Sequence, residues 1–300
     1  MFDNWWPVRA GCARRASRRA ICPITVLLAL ARLQGLCLGL LPGATGGAGG
    51  ATARGQAVLE GFLSVSAALL ARNRRVDAVL VRRAAPGDRI ARLAALARAA
   101  GVPLRRVDDV AIARYAAGSS HGGIVALVGP RRFLPLDALL AGRRPFVAML
   151  DGLEDPYNFG HAVRALYAAG VDGLVVRPRD WLPVDGTIAR ASAGTTELLP
   201  TAVAADLADA AACCKARGLA VVCAAQGREA VPMYSADLAG PLCLVLGGER
   251  RGVGRALLGQ ADVVVRIPYG RAFARSLGLT AAAAALAFEV ARQRRRHDAR

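Results

Sequence analysis

The chain has 300 residues, enough for two ordinary domains that each bury a core. A hydrophobic fraction of 54% against 21% charged residues excludes a disordered chain. The formal net charge of +18 is carried almost wholly by arginine, with Lys215 the sole lysine. Such an excess points to a polyanionic partner, because basic contacts to phosphate supply most non-specific nucleic-acid affinity. Coding bias accounts for arginine over lysine, but not for the sign.

Residues 1–55 open with Arg9, Arg14, Arg15, Arg18 and Arg19. An apolar stretch from Ile21 to Leu41 and a Gly/Ala run from Gly43 to Ala53 follow. The order imitates a signal peptide. Pro23, Arg32, Gln34 and Gly35 interrupt the apolar run, so it makes a poor membrane span. The segment reads as a disordered extension or a stretch upstream of the true start. The expectation is a cytoplasmic protein with no membrane partner.

From Ala57 the pattern is regular. Helical spacing covers Val58–Ala71, a β-branched run Val76–Val81, an amphipathic helix Asp88–Ala100, a strand Val102–Val107, a helix Asp108–Tyr115 and a strand Ile124–Val128. This α/β unit, residues 56–130, is followed by a Pro/Gly-containing linker over 131–145. A second unit, 146–297, alternates again. Strands are expected at Phe146–Leu150, Leu174–Val176, Leu219–Ala224, Leu242–Leu246 and Val263–Ile267. Helices are expected near Phe159–Ala169, Ile188–Ala193, Asp206–Arg217 and Ser276–Arg295. The strands are continuous apolar runs, as a parallel sheet covered on both faces requires.

Of seven cysteines, Cys213, Cys214, Cys223 and Cys243 sit in apolar runs and read as buried thiols. Cys12, Cys22 and Cys37 precede them. None has a metal-ligand spacing with His121, His161 or His297, so no metal is expected.

Three segments carry polar residues at the C-terminal ends of strands, where open α/β sheets place ligands. The first, Asp151 to Arg164, leaves a strand for a helix that Asn158 is placed to cap, with Arg164 further along. The second, Leu244 to Gly254, is a strand and a glycine-rich turn whose backbone can approach a ligand closely. The third runs from Val263 through Ile267-Pro268 and Ser276-Leu277-Gly278 into the small-residue run Ala281–Ala285, which permits close helix packing. Taken singly, each is equally a capped helix, a plain turn or a tightly packed terminal helix.

In this order and at these separations the three segments resemble the SpoU/TrmH family of SPOUT RNA methyltransferases. NxGxxxR is matched at Asn158, Gly160 and Arg164. G-x-E-x-x-G is matched at Gly247, Glu249 and Gly252, and the Ile-Pro and Ser-Leu elements at Ile267, Pro268, Ser276 and Leu277. Glu60-Gly61 and His121 to Ala126 look like the ribosomal-protein-like substrate-binding domain that precedes many members. The resemblance implies an α/β fold with a knotted (trefoil) methyltransferase domain behind that smaller α/β domain. It also implies a homodimer and S-adenosylmethionine as cofactor, held by Leu246, Gly247, Gly248, Ile267, Pro268 and Leu277.

The implied reaction is methyl transfer to a ribose 2′-hydroxyl of structured RNA, ribosomal RNA ahead of transfer RNA. Arg164, Asn158, Glu249 and Ser276 are the catalytic candidates. Arginine stays protonated, so Arg164 is expected to act electrostatically rather than as a base. Two departures stand out: Gly248 and Gly278 occupy positions where the family has asparagine. They leave open an RNA-binding paralogue without transfer activity. A methyltransferase for a small molecule or a protein is opposed by the charge and by the first unit. Arg72, Arg74, Arg75, Arg82 and Arg83 read either as a phosphate-contacting edge or as a solvated surface.

Overall fold

The computed structural model describes residues 55–299 except Pro86, Leu153 and Arg228. The basic opening, the apolar run after it and Cys12, Cys22 and Cys37 lie outside the described residues. Among the described residues no helix is long and apolar enough to cross a membrane.

The first sheet is built from β1 (Ala57–Glu60), helix α1 (Gly61–Ala71), β2 (Val76–Arg82), α2 (Gly87–Ala99), β3 (Leu104–Val107), α3 (Asp109–Ala113) and β4 (Ile124–Val128). Its strand order is β1-β4-β2-β3, with β2 and β3 parallel and the other pairs antiparallel. Helical spacing predicted one helix from Val58, but the chain is extended to Glu60. Leu59 faces the core, β4 supplies hydrogen-bond partners, and Gly61 turns the chain at φ +82°, a conformation glycine adopts freely.

After α4 (Leu136–Leu139) come β5 (Phe146–Asp151), α5 (Pro156–Ala168), β6 (Gly173–Val176), α6 (Asp185–Ala191), α7 (Thr195–Leu198) and β7 (Thr201–Val203). The chain continues through α8 (Leu207–Ala216), β8 (Ala220–Ala224), β9 (Val231–Pro232), β10 (Leu242–Gly247), α9 (Arg255–Leu258), β11 (Val263–Arg266) and α10 (Leu279–Asp298). The seven strands form one sheet in the order β7-β6-β5-β10-β8-β11-β9, every pair parallel. Along β5, Phe146, Ala148 and Leu150 point into a core shared with α5 and α10, while Val147 and Met149 point into one shared with α8. Two buried faces explain the unbroken apolar strands. Cys214, Cys223 and Cys243 are buried as expected, but Cys213 is exposed, because it lies on the outer face of α8. Burial, and secondarily Asp262, pushes the Cys223 thiol up to about 11.

The two sheets share packing. Val58 lies so close to Gly186 that a Cβ there would come 2.5 Å from the Val58 carbonyl oxygen, and one on Gly194 would come 2.7 Å from that of Leu63. Arg74, read as either a phosphate-contacting or a solvated surface residue, is instead 4% exposed. Its guanidinium reaches Asp185 and Glu197, each at 2.9 Å, and Arg131 reaches Asp185 at 2.8 Å. An arginine so enclosed shares with Arg131 the pairing of two buried carboxylates and is unavailable to phosphate. Arg75 and Arg82 pair with Asp77 and Asp109, and Arg72 caps α1 and donates to the Ala99 carbonyl. Residues 131–145 are no free tether. Leu134 bridges to Ala202, and Leu139 and Leu140 are buried against the second sheet.

Candidate functional site

The site gathers at the C-terminal ends of β5, β10 and β11. At the end of β5, Asp155 is the cap of α5: its carboxylate accepts from the Asn158 amide at 2.7 Å, and Pro156 occupies the first helical turn. Asp-Pro fits an N-terminus better than a mid-turn asparagine, because the proline lacks only an amide hydrogen that would be unsatisfied anyway. Asn158 is therefore not the cap that its sequence position suggested. Its side chain is freed and donates through Nδ2 to Glu249 Oε1 at 3.3 Å. Gly160 is where α5 crosses α6; a Cβ there would lie 2.6 Å from Ala191 Cβ and 2.9 Å from the Ile188 carbonyl oxygen. Arg164, one turn on, is exposed and makes no ion pair among the described residues.

The turn after β10 folds back on β5. The Gly248 amide donates to the Asp151 carbonyl at 2.6 Å, and the Gly252 amide to the Gly248 carbonyl at 2.9 Å. Asp151 is 8% exposed. Its Oδ2 accepts from the Gly254 amide at 3.0 Å, and its Oδ1 pairs with Arg177 Nε at 3.1 Å. A side chain on Gly247 would run into the backbone of Gly252 and Val253, and one on Gly248 into the Gly152 carbonyl. With glycine at 248, the β5 and β10 turns meet backbone to backbone and leave no room for a Cβ.

After β11, the Tyr269 hydroxyl accepts from the Leu277 amide at 3.1 Å. Gly278 has φ −57° and ψ 148°, which any residue adopts. A Cβ on it would sit 3.5 Å from Glu249 Oε1, an ordinary contact. No backbone reason excludes asparagine at 278.

These turns enclose two cavities. One, of about 360 Å³, is lined by Leu246, Gly247, Gly248, Glu249, Ile267, Tyr269, Ser276 and Leu277 among others. The other, of about 780 Å³, is lined by Asp151, Glu154, Asn158, Arg177, Glu249, Arg250 and Arg251 among others. They share Gly248, Glu249, Arg251 and Gly252 as a common wall. Trp181 packs on Phe159 at 4.9 Å and carries the Arg179 guanidinium at 5.1 Å from its ring centroid, and the three line a separate cavity with Arg177.

Glu249 therefore meets Asn158 in the larger cavity and Ser276 in the smaller, where Leu246, Gly247, Gly248, Ile267 and Leu277 also come together. Pro268 lines neither cavity, and neither does Arg164. Asp151, Arg177 and Tyr269 escaped the sequence reading. Only Asp151 left a signal there, a carboxylate closing an otherwise apolar strand. Among the described residues no cluster of three or more His, Cys, Asp or Glu side chains could hold a metal ion.

Two family models match: the SpoU rRNA methylase family over residues 145–288, and the RNA 2′-O-ribose methyltransferase substrate-binding domain over 58–134. The chain is 30% identical over 244 residues to the 23S rRNA (guanosine-2′-O-)-methyltransferase RlmB of Shewanella oneidensis, covering 80% of this chain and 98% of that one. A crystal structure of an RNA 2′-O-ribose methyltransferase superposes with a TM-score of 0.65 at 26% identity, covering 80% and 90% of the two chains. An AdoMet-bound rRNA methyltransferase from Sinorhizobium meliloti shares the fold, with a TM-score of 0.66 at 24% identity and coverage of 81% and 88%. The chain belongs to the SpoU rRNA methylase family, with the substrate-binding domain of RNA 2′-O-ribose methyltransferases ahead of its methylase domain.

Proposed function

We propose that this protein transfers the methyl group of S-adenosylmethionine to a ribose 2′-hydroxyl of structured RNA, with ribosomal RNA as the substrate class. The observation that carries the reading is the pair of cavities with Glu249 in their common wall. The smaller is walled by Leu246, Ile267, Leu277 and bare glycine backbone, and its volume falls in the range of about 300–1,000 Å³ of small-ligand sites. It fits the cofactor. The larger is lined by Asp151, Glu154, Asp155 and Glu249 as well as Arg177, Arg250 and Arg251, a mixed set that offers a nucleotide acceptors for its hydroxyls and cations for its phosphate. The relative's action on 23S rRNA favours the ribosomal substrate.

When bound, S-adenosylmethionine supplies an electrophilic sulfonium methyl. The chain supplies positioning and charge. Gly247 and Gly248 let the turns close backbone to backbone and present main chain to the cofactor. Leu246, Ile267 and Leu277 form its apolar bed, and Pro268 sets the turn between Ile267 and Tyr269. Asn158 holds Glu249 in place, Glu249 orients the ribose hydroxyl at the common wall, and Ser276 reaches that hydroxyl from the smaller cavity. Arg164, exposed on α5, acts in a homodimer at the site of the partner subunit, where its permanent charge stabilises the developing alkoxide or the adjacent phosphate. Residues 56–130 select the RNA, and 146–297 hold the chemistry. The trefoil thread of the C-terminal segment and a cytoplasmic location belong to the same proposal.

Incubation with methyl-labelled cofactor and purified ribosomal RNA tests the reading. Label should enter RNase-sensitive material. Label in RNase-resistant material, or none despite cofactor binding, defeats it. Arg164→Ala should lose transfer while cofactor affinity stays within about twofold; normal turnover removes Arg164 from the chemistry.

A further inference from the structure

Between β11 and α10 the chain leaves a run of nine exposed residues, 270–278. In it Phe273 is 56% exposed, an unusual place for a large apolar ring. Arg271 and Arg275, two residues to either side, are also exposed, and neither makes an ion pair among the described residues. The ring is held from below. Tyr269 meets it edge-on at a centroid distance of 5.8 Å, and the Tyr269 hydroxyl is fixed in turn by the Leu277 amide. Tyr269, Ser276 and Leu277 line the smaller cavity, and Gly278 lies against Glu249. An exposed aromatic face with a free cation on each side therefore stands at the rim of the site.

A flat ring offers any nucleobase a stacking surface, and flanking arginines suit the phosphates on either side of that base. The first unit has no comparable exposed aromatic pair: its own large exposed apolar residues are Leu63, Leu70 and Val110. We propose that residues 269–275 are an RNA-docking loop, with Phe273 stacking on an unpaired base at or beside the target nucleotide and Arg271 and Arg275 contacting adjacent phosphates. This rests on the RNA reading given above. It assigns part of RNA recognition to the methylase domain itself, and it requires the target to lie in a loop, bulge or end rather than in a continuous duplex.

The test uses the full chain and two fluorescein-labelled probes, a short mixed-sequence single-stranded RNA and the matching duplex. Base stacking on an aromatic side chain carries enough free energy that Phe273→Ala should weaken single-strand binding about tenfold or more. Phe273→Leu should be as weak, and Phe273→Trp should restore binding. Arg271→Gln and Arg275→Gln should each flatten the dependence of log Kd on log salt by about 0.7. Cofactor affinity should stay within about twofold throughout. Wild-type affinity in Phe273→Leu would overturn stacking. A change in oligomeric state in Phe273→Ala would overturn the proposal by making the ring an interface residue, and lost cofactor binding would do so by placing it in the cavity wall. If the wild type binds neither probe nor ribosomal RNA, the RNA reading itself fails, a result distinct from wild-type binding that Phe273→Ala leaves unchanged.

Discussion

Replacing Arg74 by methionine keeps an unbranched apolar stem and removes the charged guanidinium from the buried network between the two sheets. Arg74 has no exposed side-chain surface and meets Asp185 at 2.9 Å and Glu197 at 2.9 and 3.1 Å. After the substitution two buried carboxylates share Arg131 alone, which lies 2.8 Å from Asp185 and 3.6 Å from Glu197. Removing one partner of a buried pair costs about 3–5 kcal/mol, because the other charge stays desolvated. For a unit of this size that lowers Tm by about 6–20 °C. The neighbouring Arg75, whose side chain is 71% exposed against Asp77, provides the control; Arg75→Met should cost under about 1 kcal/mol. The penalty should also depend on pH. Burial pushes the Glu197 carboxyl up, against the pull of Arg131 and then Arg74, and losing Arg74 raises it further. A raised carboxyl favours the folded state while protonated, so the Arg74→Met deficit should shrink as pH falls from 7 towards 5. Thermal and urea unfolding of both variants across that range provides the check. Equal losses in Arg74→Met and Arg75→Met, or a deficit that grows on acidification, would show that the network is hydrated rather than buried.

The two glycines that replace family asparagines should behave oppositely. Gly248→Asn drives a Cβ into the Gly152 carbonyl and should abolish cofactor binding by calorimetry. Gly278→Asn should fold normally and stabilise by a few tenths of a kcal/mol, because φ −57° and ψ 148° at the start of α10 suit an asparagine cap. Asp151→Ala frees the Gly254 amide and Arg177; KM for the cofactor should rise about tenfold, the effect of losing roughly 1.4 kcal/mol, with thermal stability reduced far less than in Arg74→Met. Hydrogen bonding from Arg292 holds the Glu289 carboxyl low, despite its burial. A depressed carboxylate contributes stability above its unfolded value and loses it as pH falls. Wild-type Tm should therefore decline below about pH 4.5, and Glu289→Gln should flatten that decline.

Much of this was legible in the sequence because a parallel sheet covered on both faces leaves little choice of residue. Runs such as Phe146–Leu150 and Leu242–Leu246 had to be strands. The short strands were not: Val231–Pro232 and Thr201–Val203 are defined only by the neighbours they pair with. Arg74 looked like its neighbours, since a charge at a helix end reads the same whether solvated or buried, and its partner Asp185 lies 111 residues away. Asn158 belonged to the site, but its work was hidden until Asp155 proved to be the cap. The glycines of the motifs carry packing demands that no spacing reveals. Gly160 serves a helix crossing and Gly248 a meeting of two turns, so neither is chosen for the ligand alone.

Transfer to a ribose hydroxyl leaves a direct chemical mark on the RNA. Ribosomal RNA treated with the protein and S-adenosylmethionine, then subjected to partial alkaline hydrolysis, should gain one resistant linkage, because a 2′-O-methyl group removes the nucleophile that cleaves the chain. That linkage should be absent with Glu249→Ala and unaffected by Gly278→Asn. A methyl group found on a base, with every linkage still alkali-sensitive, would contradict the account.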